Sequence, residues 1–334
     1  MRIGLAGVGR IGAFHAQTLK GLDAVDQVVV ADTDPALARA VAAAQGLEPA
    51  ADVDALLRDD IDALVIATAT PGHAPLLRRG VAAGLPTFCE KPVAATLEET
   101  IDLSRLCAEV EVPVHIGFQR RFDPGYRRAR ETVASGALGF VHTVRANTFD
   151  QAPPHPDYVP TSGGIFRDCN VHDFDIVRFV LGQEVVSVFA TGANQGADFF
   201  AAAGDVDTAA ALLTMQDGTL VQISSTRYNG GGHDVRMEVC GEKGSVGVGL
   251  DDSLALRSME AGVSFPAGPR HTSFMDRFLP AYRAELTAFL EVAAGRAASP
   301  CTVQDALQAF RVAEACELSR AERRVVDLTE IKGA

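Results

Sequence analysis

The chain has 334 residues, 47% of them hydrophobic, enough to bury one large core or two ordinary ones, which excludes a largely disordered polypeptide. Its 43 acidic and 30 basic side chains leave a net charge of -13, which repels nucleic-acid phosphates; the one arginine cluster, Arg120, Arg121, Arg127, Arg128 and Arg130, is interleaved with Asp123 and Glu131 and forms no recognised reading motif. No run of roughly 18 uninterrupted apolar residues is present to span a bilayer, and Gly7 and Gly9 interrupt any signal-like apolar start, so a cytoplasmic protein without membrane or nucleic-acid partners is expected.

Residues 2–6 read as a short apolar strand, followed by Gly7-Val-Gly9-Arg10-Ile11-Gly12 and a helix to about residue 20. A second strand, 27–31, ends at Asp32, 20 residues beyond Gly12. That context turns a weak G-x-G-x-x-G match into a dinucleotide-binding fingerprint. Gly7 permits the tight turn, Gly9 lets a pyrophosphate approach the backbone, and Gly12 lets the helix pack closely on the strand. The phosphates then meet unpaired N–H groups at the positive end of the helix. Asp32 can accept hydrogen bonds from both ribose hydroxyls, whereas a 2'-phosphate would meet like charge, and Thr33 and Asp34 offer no compensating arginine. NAD is expected over NADP, with FAD left open by these features alone.

A helix over 35–44 follows, then a buried strand over 62–67 that runs into Thr68-Ala-Thr70-Pro-Gly-His73 and a helix to residue 79. The strand 87–89 leads into Glu90-Lys91-Pro92, and Thr96 with Glu99 forms a capping box for a helix reaching about residue 110. The strand 112–117 ends at Phe118-Gln119-Arg120-Arg121-Phe122-Asp123. Strand and helix alternate throughout, which predicts a parallel, doubly wound sheet over residues 1–120. Ligands in such sheets sit beyond the carboxyl ends of the strands, where His73, Lys91 and Arg120 emerge.

Residues 121–334 read differently. A helix over 124–134 precedes a strand over 139–149, a proline-rich loop over 151–161, and strands over 185–191, 208–215, 220–226 and 235–240. The turns Asp217-Gly218 and Gly241-Glu-Lys-Gly244 favour hairpins, so a large, mostly antiparallel sheet is predicted, with helices on one face and a subunit, substrate or solvent on the other. The densest chemistry lies between Gly163 and Gly182. If residues 165–181 are helical, Asp168 and His172 stand one turn apart with Asp175 close to their line, while Val171, Phe174, Val177 and Leu181 face a core. A capping or salt-bridge pair is the plainer reading of Asp168 and His172. A metal could use both, but spacing supplies no further ligands, so none is expected. Near the C-terminus Phe278, Tyr282, Leu286 and Phe289 form an apolar stripe that tolerates Pro280 only near a helix start, and Thr302 with Asp305 caps a last helix. These helices are read as bracing the domain interface. Six scattered cysteines in a chain this size are expected to be reduced, structural thiols.

Five of these stretches together resemble the Gfo/Idh/MocA oxidoreductase family, in particular its inositol 2-dehydrogenase-like branch: Gly7 to Gly12, Thr68 to His73, Phe88 to Pro92, Gly117 to Tyr126 and Gly163 to Asp175. The resemblance implies an N-terminal Rossmann domain followed by an α+β domain, within an α/β protein. It implies NAD-dependent hydride transfer with a secondary hydroxyl of a cyclic polyol, myo-inositol or a related inositol, with an aldose or deoxy-sugar dehydrogenase or reductase as the alternative. It implies that Lys91 contacts the reacting hydroxyl and the nicotinamide ribose, that His172 transfers the proton, that Asp168 binds or orients the substrate, and that Arg121 and Asp150 contribute substrate contacts. The cofactor set it implies is Gly7, Gly9, Arg10, Ile11, Gly12, Asp32, Thr68, Thr70, His73, Glu90 and Lys91. It further implies a cis peptide before Pro92 and a homo-oligomer, dimer or tetramer, built on the large sheet. Gln119, Arg167 and Asn170 depart from the inositol enzymes' usual pattern, and Arg120, Arg121 and Arg167 leave a carboxylate-bearing sugar open.

Chemically, an imidazole titrates nearest working pH, so His172 is expected to take the hydroxyl proton while Lys91 stabilises the developing alkoxide. A desolvated Lys91 could instead be the base. A noncatalytic NAD-binding sensor is the reading from another class; it needs the cofactor fold but not Lys91 and His172.

Overall fold

The computed structural model describes residues 1–58 and 60–332. The chain forms two compact units, one of Met1–Phe122 with Pro280–Leu307, the other of Asp123–Leu279 with the chain from Gln308 onward. The first begins β1 (Arg2–Ala6), α1 (Arg10–Lys20), β2 (Gln27–Ala31), α2 (Pro35–Gln45), β3 (Glu48–Pro49), α3 (Val53–Arg58) and β4 (Ala63–Ile66). It continues with α4 (His73–Ala82), β5 (Thr87–Glu90), α5 (Leu97–Ala108) and β6 (Val114–Gly117).

The six strands lie in the order β3-β2-β1-β4-β5-β6 and every pairing is parallel. That order, reversing direction of travel at β1, is the doubly wound dinucleotide arrangement, with its crevice at the carboxyl ends of β1 and β4. Helices cover both faces, so β4 is buried at every position and β1 and β2 nearly so. Helix α2 starts where Asp34 caps it, accepting from Ala36 and Leu37 N–H, with Pro35 in the first turn. Helix α1 starts differently: Gly9 is its N-cap and no side chain caps it, which leaves its first N–H groups for another partner.

The second unit starts with α6 (Pro124–Ala134) and β7 (Val141–Phe149), then a single wide π turn (Phe166–Asn170) that runs into α7 (Val171–Leu181). β8 (Val185–Ala193), α8 (Phe199–Ala202), β9 (Thr208–Met215), β10 (Leu220–Thr226), β11 (Asp234–Gly241), β12 (Gly244–Val248) and α9 (Phe274–Arg277) follow. α10 (Leu279–Ala293), α11 (Val303–Glu322) and β13 (Val326–Asp327) close the chain. The seven-stranded sheet has the order β12-β11-β7-β10-β9-β8-β13; only β7 and β10 run parallel, and every other pair is antiparallel. Burial alternates along β9 and β10, so one face is packed, while Phe189, Leu212 and Leu220 stay exposed.

One departure from the sequence reading has a clear cause. Leu286, Phe289 and Leu290 of α10 enter the same core as Ile3, Leu5, Leu19 and Phe88, so residues 280–307, read from the sequence as part of 121–334, count with the first unit. An apolar stripe shows that a helix has a core to face; it does not say which one. Nearby, the edge strand β6 is covered where Ile116 N–H donates to the Cys301 carbonyl. No helix among the described residues is long and apolar enough to cross a membrane.

Candidate active site

At the carboxyl ends of β1 and β2 the backbone is shaped as a cradle. Gly7 has φ 93, and a Cβ there would fall 2.5 Å from Thr68 N; a Cβ on Gly12 would fall 1.8 Å from the Gly7 carbonyl oxygen. Neither position admits a side chain. A Cβ on Gly9 meets nothing within 4 Å, so the backbone is open there. Asp32 is held over this turn: one carboxylate oxygen accepts from Val8 N–H at 2.8 Å and the other from Asp34 N–H at 3.0 Å. Arg10 is exposed, and Ile11, Thr68 and Thr70 are half-buried around the opening. An open glycine, an uncapped helix start and a fixed carboxylate at the second strand's end fit a dinucleotide with a free ribose diol.

Two residues grouped with the cofactor set, His73 and Glu90, bond to protein groups, as does Arg121 of the expected substrate contacts. His73 is buried; its Nδ1 meets the Pro92 carbonyl oxygen at 2.7 Å and its Nε2 meets that of Thr68 at 2.9 Å. It ties the loop after β4 to the turn after β5 and so braces the two loops. Glu90 pairs with the buried His15 at 2.6 Å and accepts from Lys91 N–H at 3.1 Å. Its carboxylate thereby fixes the backbone of Lys91, which is half-buried and precedes a cis bond to Pro92. Arg121, expected to bind substrate, is buried; it pairs with Asp305 at 3.1 Å and donates to the Pro300 carbonyl at 3.0 Å. Burial alone would raise the Asp305 carboxyl, but the charge of Arg121 and hydrogen bonds from Thr302 outweigh it and hold it below its ordinary range.

The second unit gathers its own cluster. β7 and β10 pair in register through Phe149 and Thr226, which brings the next residue of each strand, Asp150 and Arg227, side by side. Arg227 is buried, donates to Asp150 at 2.9 Å and to Asp168 at 2.7 Å, and so joins the strand end to the π turn. Tyr158, from the proline-rich loop, donates to the other oxygen of Asp168 at 2.9 Å. His233 lies 3.4 Å from Asp150. Burial would raise the Asp150 carboxyl, yet the hydrogen bond from His233 and the charge of Arg227 hold it low.

A straight α-helix over 165–181, as expected from the spacing, is corrected: the π turn widens the chain at Asp168, and α7 begins at Val171, with His172 half-buried in its first turn. The turn is pinned to the sheet by buried polar contacts, Thr148 to Asp173 at 2.8 Å, Asn170 to Asp173 at 3.0 Å and Ser225 to Asn170 at 2.9 Å. Asn170 therefore serves the backbone's shape. Asp175, three residues after His172 on α7, is buried with its carboxylate 4.0 Å from Arg178. Arg167 grips Glu314 through two nitrogens, the second bond at 2.9 Å. Arg227 belongs to none of the motifs; its only sequence signal is an arginine directly after a predicted strand. Among the described residues no group of three or more His, Cys, Asp or Glu side chains could hold a metal ion.

A doubly wound sheet with an open phosphate turn and an aspartate at the second strand, followed by a predominantly antiparallel sheet bearing a His/Asp turn, defines a two-part NAD-dependent oxidoreductase. Residues 1–118 match the oxidoreductase family with an NAD-binding Rossmann fold, and residues 126–247 match the GFO/IDH/MocA C-terminal domain. The chain belongs to the Gfo/Idh/MocA oxidoreductase family. It is 37% identical to inositol 2-dehydrogenase of Rhizobium meliloti (strain 1021), over 98% of this chain and 99% of that one. The crystal structure of a myo-inositol dehydrogenase from Corynebacterium glutamicum ATCC 13032 matches with a TM-score of 0.87 at 34% identity, over 98% of each chain. That of scyllo-inositol dehydrogenase from Lactobacillus casei with bound NAD(H) and scyllo-inositol matches with a TM-score of 0.88 at 26% identity, over 98% of this chain and 99% of that one.

Proposed function

We propose that the protein oxidises a secondary hydroxyl of a neutral cyclic polyol, myo-inositol or a related inositol. The observation that carries this reading is the Asp168 carboxylate, each of whose oxygens accepts a donor, from Tyr158 and from Arg227, on the turn that leads into His172. A carboxylate so oriented is an acceptor for substrate hydroxyls. The names of the relatives support an inositol. A neutral substrate is favoured over a carboxylate-bearing sugar because Arg121 is committed to Asp305 and Arg167 to Glu314.

Gly7, Gly9, Gly12 and the start of α1 would hold the pyrophosphate of NAD, and Asp32 its ribose; the bound nicotinamide supplies the hydride acceptor. His172 takes the hydroxyl proton, since an imidazole returns it with equal ease in the reverse direction. Lys91, its backbone fixed by Glu90, places an ammonium against the oxygen as charge develops. Asp168 orients the ring. The exposed Phe189, Leu212 and Leu220 suit the outer sheet face to pairing with a second copy, as a dimer or tetramer, and six free thiols suit a reducing cytoplasm.

The test is NADH formation by purified protein offered NAD with inositols, aldoses and deoxy-sugars. Turnover of an inositol is expected, lost in Lys91→Met and reduced about 10²- to 10⁴-fold in His172→Ala. Tight NAD binding with no turnover of any compound would sink the reading and favour a sensor.

A further inference from the structure

Asp150 and Asp168, 18 residues apart in sequence, share one guanidinium, that of Arg227, at 2.9 and 2.7 Å. All three are largely buried, with side chains 23%, 12% and 7% exposed. The other groups around them come from four elements. Tyr158 donates to Asp168 from the proline-rich loop, and His233 meets Asp150 just before β11. Cys169 lies within the π turn, where burial pushes its thiol up and keeps it neutral. Asp173, in α7, is held by Thr148 and Asn170. Arg227 is thus the cation that two neighbouring carboxylates have in common.

We propose that Arg227 is a positioning residue for the reaction, holding Asp168 as an aimed carboxylate that accepts from a neutral substrate hydroxyl. This rests on the dehydrogenase reading above. A guanidinium does not deprotonate, and its planar fork sets the direction of both acids, which an ammonium could not do. Without it, two like charges face each other away from water, and the pair takes up a proton. A protonated Asp168 donates where it should accept.

The experiment is steady-state oxidation of myo-inositol with NAD, across pH, by the wild type and three variants. Arg227→Met is expected to raise the inositol KM about tenfold or more, to leave the KM for NAD unchanged, and to move the acid limb of kcat/KM upward by about one pH unit or more. Adding Asp150→Asn to Arg227→Met removes the competing carboxylate and should bring the acid limb back toward the wild type, a rescue that a packing role would not produce. Arg227→Lys should keep the limb in place and still raise the inositol KM. An unmoved acid limb in Arg227→Met, or no return in the double variant, overturns the proposal. Should Arg227→Met prove insoluble, Asp150→Asn alone decides it: the limb is expected to stay or fall, and upward movement overturns it. A wild type that oxidises no polyol overturns the dehydrogenase reading and this inference together, whereas an active wild type with unmoved variants overturns this inference alone.

Discussion

His115 offers the sharpest test of how the first unit is held together. It lies on β6, fully buried, with its ring stacked on Phe88 at 5.5 Å and near Phe122 and Phe289. Neither ring nitrogen has a hydrogen-bond partner among the described residues. Burial in this aromatic core, and secondarily the charge of Arg121, lowers its pKa from 6.5 to about 3. The folded state therefore binds the proton less readily than the unfolded chain. Its stability contribution is complete above about pH 6.5 and is lost as pH falls toward the folded value. From about pH 8 to about pH 5 the loss is about 2 kcal/mol, since a pH of 5 still lies above the folded pKa and the unfolded chain alone gains the proton. His115→Leu cannot titrate, so the stability difference between it and the wild type should narrow or invert by about that amount over the same range. The chain has no tryptophan, so urea unfolding is best followed by far-ultraviolet circular dichroism at matched pH. Subtracting the two curves cancels the carboxylates and the other histidines. Curves that stay parallel from about pH 8 to about pH 5 would show that the ring is protonated or solvated in the folded state, and the reasoning from burial would be wrong.

Two further substitutions separate structure from chemistry elsewhere. Asp32→Ser removes the charge that opposes a 2'-phosphate, so the preference for NAD over NADP, measured as the ratio of kcat/KM values, should fall about tenfold or more; an unchanged ratio would show that Asp32 does not face the ribose. Arg121→Ala strips Asp305 of a partly buried partner and should cost about 3 kcal/mol in unfolding measurements while leaving the polyol KM unaltered. A raised KM with unchanged stability would return Arg121 to the substrate.

What could be read from the amino-acid order was the local part of the design. The glycine turn, Asp32 at the end of the second strand, the cap of α5, and the strands β9 and β10 depend on residues within a turn or two of each other, where sterics and periodicity act directly. Lys91 and His172 were legible as candidates for a related reason: each sits in a short, chemically dense motif. Other features needed the folded chain. The parallel register of β7 and β10 puts Asp150 beside Arg227, and the π turn delivers Asp168 to the same guanidinium, 59 residues away in sequence. Arg121 and Arg167 looked like anion ligands until their partners, Asp305 and Glu314, arrived from the far end of the chain. The apolar stripe of α10 named a helix but not its core. A side chain's type and spacing settle what it can do; which charge it meets, and whether water reaches it, depends on segments whose sequence separation carries no periodic signal, and only packing brings those together.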